Sequence, residues 1–218
     1  MNLTRIALAL SLVACSRSTP APATVTPEPA PTAPAPAPAP SAPSAATTPA
    51  PQPSSGDELT VTSPARTTLL AVGDAAPSFT ATTHDGRRIE SNGAPRPRAL
   101  VVYFYPRDET PGCTREACAF RDMSRSFDEA GADIVGVSTD TKSAHEGFAR
   151  SHQLPFGLIA DPRGQLAGAF GLDASRGVAP RVTFVIGRDG HVARVFPNVT
   201  VEGHADAVLE AVRASNPR

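Results

Sequence analysis

The chain has 218 residues and a net charge of -1, a balance that gives no reason to expect a nucleic-acid partner. No apolar run approaches the roughly 18 residues of a membrane-spanning helix. Tryptophan is absent and the first aromatic residue is Phe79, so everything before about Leu70 is a poor source of core, which leaves roughly 150 residues for one folded domain.

Met1 to Cys15 (MNLTRIALALSLVAC) places one basic residue, Arg5, before an apolar stretch from Ile6 to Ala14, the length of a signal peptide and too short to span. Leu12-Val13-Ala14-Cys15 resembles the lipobox of bacterial lipoproteins. That resemblance implies lipid attachment at Cys15 with several acyl chains, enough for stable membrane anchoring where one chain is marginal. Ser16 after the cysteine resembles outer-membrane sorting. Residues 16–69 read as a disordered Pro/Ala-rich tether, uncharged from Ala30 through Gly56. Repeated Ala-Pro favours extended polyproline II, which over Pro20 to Pro53 would reach roughly 100 Å at about 3.1 Å per residue.

The folded domain is expected over residues 70–218. Phe79 to Thr83 and Arg87 to Glu90 flank Asp85-Gly86, an N-terminal hairpin signal. Ala99 to Tyr105 (ALVVYFY) is a buried strand pattern ended by Pro106, and Thr110, Pro111 and Cys113 read as N-cap, first helical residue and first-turn thiol of a helix. Strands are then expected at Ala132 to Ser138 and Leu158 to Ala160, and helices at Ser143 to His152 and Arg163 to Phe170. A second hairpin runs through Arg181 to Ile186 and His191 to Phe196, before a closing amphipathic helix at Gly203 to Ala214. This order predicts an α/β fold, a mixed sheet covered by helices.

At 100° per residue, Cys113, Ala117, Phe120, Ser124 and Phe127 share the core face of their helix, whereas Cys118 lies nearly opposite and faces water. Five residues apart on an ideal helix, the two α-carbons are roughly 8 to 9 Å apart, beyond the usual limit of about 7 Å for a disulfide. A bridge between them requires local unwinding, which suits a disulfide that forms and is removed. A free thiol with a pKa of about 8.5 is only a few per cent thiolate at neutral pH. Ionisation alone therefore gains at most about thirtyfold, and fast chemistry needs groups that hold the electrophile and stabilise charge on its leaving oxygen. Thr110, the helix-start N–H groups and a distant arginine are suitable.

The segment FYPRDETPGCTREACAFRD closely resembles the active-site segment of the peroxiredoxins, in particular the bacterioferritin comigratory protein or Q-type subgroup. GDAAPSF, DGRRI and APRVTFVIGRDG resemble the flanking segments in the same order. The resemblance implies a thioredoxin-like fold and a thiol-dependent peroxidase for hydrogen peroxide and organic hydroperoxides. In its P-x-x-x-T-x-x-C core, Cys113 would be the peroxidatic cysteine, Thr110 would orient the peroxide and Pro106 would shield the site from water. Arg181 would stabilise the thiolate and position the peroxide, and Cys118 fits the resolving position of members that form an intrasubunit disulfide. The cycle needs no cofactor and no metal. Its partners would be the peroxide and a thioredoxin-like dithiol reductant, and the chain is read as a monomer. The lipobox and tether depart from most relatives and imply an exported, membrane-anchored enzyme that draws electrons from an exported thiol system.

A different-class alternative is an exported thiol–disulfide exchange or copper-handling lipoprotein on the same fold. Such proteins usually present CxxC or CxxxC, whereas four residues separate Cys113 from Cys118. His84, His145, His152, His191 and His204 show no HxxH or HxxxH spacing and are expected at the surface without a metal role.

Overall fold

The computed structural model describes residues 59–91 and 95–216. The signal segment, the lipobox cysteine Cys15 and the tether up to residue 58 lie outside the described residues.

Two sheets carry the fold. In the smaller, β1 (Thr60–Val61), β2 (Phe79–Thr82) and β3 (Arg88–Glu90) are antiparallel in that order. The Asp85-Gly86 turn joins β2 and β3 as the sequence predicts, with Gly86 at φ 81°, a conformation that side chains disfavour. The described chain starts upstream of the expected Leu70 boundary. β1 pairs with β2, Arg66 N–H donates to the Gly168 carbonyl, and Leu70 is buried.

The larger sheet has strands β4 (Ala99–Phe104), β5 (Ala132–Ser138), β6 (Gly157–Ala160), β7 (Val182–Ile186) and β8 (Val192–Phe196), ordered β6-β5-β4-β7-β8. β4, β5 and β6 are parallel, while β7 runs antiparallel to β4 and to β8. All six residues of β4 are buried, because it lies at the middle of the sheet with both faces covered. Alternation along it divides the interior. Ala99, Val101 and Tyr103 pack with Cys113, Phe120, Phe127, Phe148, Val208 and Val212. Leu100, Val102 and Phe104 face the opposite way, toward Phe79, Leu166, Phe170 and Phe184.

Helices α1 (Pro111–Asp122), α2 (Ser124–Glu129), α3 (Lys142–His152) and α5 (His204–Ser215) supply the first of these layers, and α4 (Gln165–Ala169) the second. The helix after Cys113 is interrupted at Met123, with φ -101° and ψ 3°, rather than running unbroken to Glu129. The break falls beyond both cysteines. Thr141 caps α3, its side chain accepting from Ala144 N–H, so the helix starts one residue before the expected Ser143.

Candidate active site

β4 carries the chain into the site. After Tyr105, whose N–H donates to the Val137 carbonyl, comes half-buried Pro106 and a loop that turns through Glu109 at φ 58°, a left-handed conformation rare for a residue with a side chain. Thr110 holds the N-cap position with extended backbone, and its carbonyl accepts from Thr114 N–H at 2.8 Å. Its hydroxyl does not cap α1 as the sequence predicts, but donates to the Arg107 carbonyl at 3.1 Å. The hydroxyl is thus held by the loop, with its lone pairs left for other donors.

Cys113 is the third helical residue, so its backbone N–H belongs to the first turn, at the positive end of the helix dipole. It is only 1% exposed. Arg181 reaches it from the far side of the sequence. β7 begins at the next residue, and its register with β4 pairs Phe104 with Val182 and Tyr103 with Thr183. That register brings Arg181 to the end of β4, beside the loop that leads into α1. One guanidinium nitrogen, Arg181 Nη2, donates to Cys113 Sγ at 3.2 Å, and the other, Nη1, pairs with Glu116 Oε2. The fork thereby bridges a thiol and a carboxylate one helical turn apart. Gly112 leaves room for this approach: a β-carbon there would lie 3.3 Å from Arg181 Nη2.

Glu116 escaped the sequence reading, although it lies three residues after Cys113 on the same side of an apolar helix face. Its side chain is 1% exposed, and burial pushes its pKa up to about 7 against the opposing pull of Arg181. Oε1 is buried without a hydrogen-bond partner. His204 Nε2 lies 3.9 Å from that oxygen and 2.8 Å from Thr183 Oγ1. Burial, reinforced by the Arg181 charge, lowers the His204 pKa to about 4, so the ring facing Glu116 is neutral near pH 7.

His145 and His204 are therefore buried, not at the surface. Each begins an apolar stripe at helical spacing, His145 with Phe148 and Ala149, His204 with Val208 and Leu209, and that spacing is the signal that marks them. His145 Nδ1 meets Asp108 Oδ2 at 2.8 Å and its Nε2 meets the Ile159 carbonyl at 3.2 Å, while Tyr105 donates to Asp108 Oδ1 at 2.7 Å. This network fastens the Pro106–Thr110 loop to α3.

Cys118 lies on the same unbroken stretch of α1, half-buried, and both thiols are free. The structure thus brings together Cys113, Arg181 and the helix start, with Thr110 and Pro106 in the adjoining loop and Cys118 further along the helix.

Residues 72–195 match the AhpC/TSA family. The chain is 40% identical over 145 residues to the chloroplastic peroxiredoxin Q of Populus jackii, covering 65% of this chain and 68% of that protein. The chain belongs to the AhpC/TSA family, in its peroxiredoxin Q branch. Among solved peroxiredoxins, the Mycobacterium tuberculosis peroxidoxin BcpB superposes with a TM-score of 0.61 at 33% identity, over 66% of this chain and 97% of that one. The Xanthomonas campestris bacterioferritin comigratory protein, studied for alkyl peroxide reduction, matches with a TM-score of 0.56 at 34% identity, over 62% of this chain and 90% of its own. The thioredoxin-like peroxiredoxin fold expected from the sequence is present, and the chain is a thiol peroxidase that works through cysteine. The copper-handling alternative is not favoured.

Proposed function

We propose that Cys113 is the peroxidatic cysteine and Cys118 its resolving partner within one subunit. The observation that carries this assignment is the 3.2 Å contact from Arg181 Nη2 to Cys113 Sγ at the start of a helix that also holds Cys118 as a free thiol. A guanidinium donor and the positive end of a helix dipole are groups suited to stabilising negative charge as it moves between sulfur and oxygen. The thiolate attacks one peroxide oxygen: the S–O bond forms, the O–O bond breaks, and the leaving oxygen departs as water or alcohol after taking one proton. Arg181 steadies the thiolate and the oxygen that leaves, Thr110 accepts a hydrogen bond from the incoming peroxide, and Pro106 limits water at the sulfur.

Condensation of the Cys113 sulfenic acid with the Cys118 thiol forms the disulfide and releases water, and an external dithiol then reduces it. Helix geometry keeps the two residues apart until the turn around Cys113 unwinds. That turn is the inexpensive end of α1, since the first helical N–H groups have no intrahelical acceptor to lose. Alkyl hydroperoxides are included among the substrates by analogy with the Xanthomonas campestris relative.

Export and anchoring through lipid at Cys15 complete the proposal. Their support is the sequence alone: the lipobox LVAC and the proline-rich tether. Peroxide consumption with a dithiol donor is the test for the thiols. Wild type should turn over, Cys113→Ser should not, and Cys118→Ser should lose turnover with dithiol donors that require the intrasubunit disulfide. Turnover surviving in Cys113→Ser defeats the assignment. For the anchor, Cys15→Ser should move the protein from the membrane to the soluble fraction of a bacterial host.

A further inference from the structure

Arg181 is a single cation set between two groups that can both be anions. Its Nη2 contacts Cys113 Sγ and its Nη1 contacts Glu116 Oε2, inside a site where Cys113 and Glu116 are each 1% exposed. The other groups facing Glu116 do not supply a second positive charge. They are Cys113 on its own helix, Tyr103 on β4, and His204 on α5, whose neutral ring stops 3.9 Å from Oε1 and bonds Thr183 instead. Oε1 is left without a partner, which is far less costly for a neutral carboxylic acid than for a carboxylate.

We infer that Glu116 is the proton counterweight of Cys113: it gains a proton when the thiol loses one, and gives it up when the sulfur is oxidised. The inference rests on the peroxidase reading of Cys113. Before peroxide arrives, the thiol proton leaves sulfur and one proton is bound at Glu116, so the site holds a thiolate, the guanidinium and a neutral acid. Attack then forms the S–O bond and breaks the O–O bond, with the thiolate electron pair reducing the peroxide. The leaving oxygen needs one proton, and the loss of negative charge from sulfur lets Glu116 release one. The site ends with a neutral sulfenic acid, the guanidinium and a Glu116 carboxylate, and its total charge is zero before and after. In a buried site a constant charge removes the desolvation cost that a net anion would carry. The lift of the Glu116 pKa to about 7 by burial agrees with this. Glu116 is therefore a positioning residue whose protonation keeps time with the sulfur.

The experiment uses the Cys118→Ser protein, which stops at the sulfenic acid, at a pH where its ultraviolet thiolate band is saturated. One equivalent of hydrogen peroxide is added, and three quantities are followed: the oxygen gained by mass, the protons taken from an indicator dye, and the infrared carboxyl band. Sulfenic acid should form with almost no proton uptake, as a protonated carboxyl band disappears. Adding Glu116→Gln, which preserves shape and neutrality, should abolish the carboxyl change and raise uptake to about one proton per sulfenic acid. Sulfenic acid formed with a full proton taken up and no carboxyl change in the Glu116 protein overturns the counterweight and leaves the peroxidase reading intact. Absence of sulfenic acid overturns both. The infrared change is read in the protein that retains Glu116, so the test stands even if the Gln variant does not fold.

Discussion

Arg181 Nη2 and Cys113 Sγ meet at 3.2 Å although 68 positions separate them in the chain. The antiparallel pairing of β7 with β4 creates that meeting, and Glu116 on the other guanidinium nitrogen fixes its orientation. Removing the guanidinium should therefore be felt in chemistry more than in folding. Arg181→Ala is expected to lower the second-order rate with peroxide by about a hundred- to a thousandfold, the scale of losing one charge-stabilising donor. Arg181→Lys should recover only part of this, since an ammonium cannot reproduce the planar fork that holds sulfur and carboxylate together. Stopped-flow oxidation of the two variants measures the effect, and equal rates for Lys and Arg would remove the case for the fork.

Gly112 offers a separation of stability from activity. A β-carbon there would sit 3.3 Å from Arg181 Nη2, tighter than comfortable contact. Alanine is a better helix residue than glycine by about 0.5–1 kcal/mol. Gly112→Ala should unfold at an equal or higher temperature than wild type while reacting more slowly with peroxide. A variant that keeps the full rate would mean that the arginine has room to spare.

The Asp108–His145 contact lies under the active-site loop, with both side chains almost wholly buried. His145→Leu leaves Asp108 with the Tyr105 hydroxyl and no imidazole. Denaturant unfolding should show a loss of about 1–3 kcal/mol, the cost of leaving a buried polar group without its partner. The double variant His145→Leu/Asp108→Leu should recover part of that loss. A single-variant loss below about 1 kcal/mol would show that the pair does not fasten the loop to α3.

Glu116 and His204 oppose one another in the pH dependence of stability. Burial raises Glu116 from 4.5 to about 7, so between these values the folded state binds the extra proton and stability falls as pH rises. Burial and Arg181 lower His204 from 6.5 to about 4, so between these values the unfolded state binds the extra proton and stability rises with pH. Each contribution has a limiting slope of about 1.4 kcal/mol per pH unit, and over the shared window they should nearly cancel. Glu116→Gln should expose the rising His204 slope, and His204→Asn the falling Glu116 slope. Identical pH profiles for both variants and wild type would contradict the assignment of these two groups.

The readable part of the site was local. Thr110, Pro111 and Cys113 announce a helix start through short-range rules, and the wheel that puts Cys113 inward and Cys118 away from it uses only spacing. The structure keeps that arrangement, with Cys113 buried and Cys118 half-buried. Glu116, His145 and His204 were missed because a polar residue on an apolar face normally argues against burial. Their partners, Arg181, Asp108 and Thr183, become neighbours only through strand register and helix packing. The pairing of β1 with β2 upstream of Leu70 is hidden for a similar reason: β1 is two residues long, lacks aromatic side chains, and is defined by its partner strand. The interruption at Met123 has no proline or glycine close to it, since those of α1 lie at its start, at Pro111 and Gly112, so the local sequence does not announce it.

The most direct test of the central claim is a peptide map of wild-type protein after one equivalent of peroxide, taken under non-reducing conditions with the thiols blocked. The expected product is an intrasubunit disulfide joining Cys113 to Cys118, absent from the reduced protein and reversed by a dithiol. Peroxide consumption that leaves Cys113 unmodified, or that proceeds at the wild-type rate in Cys113→Ser, would contradict it.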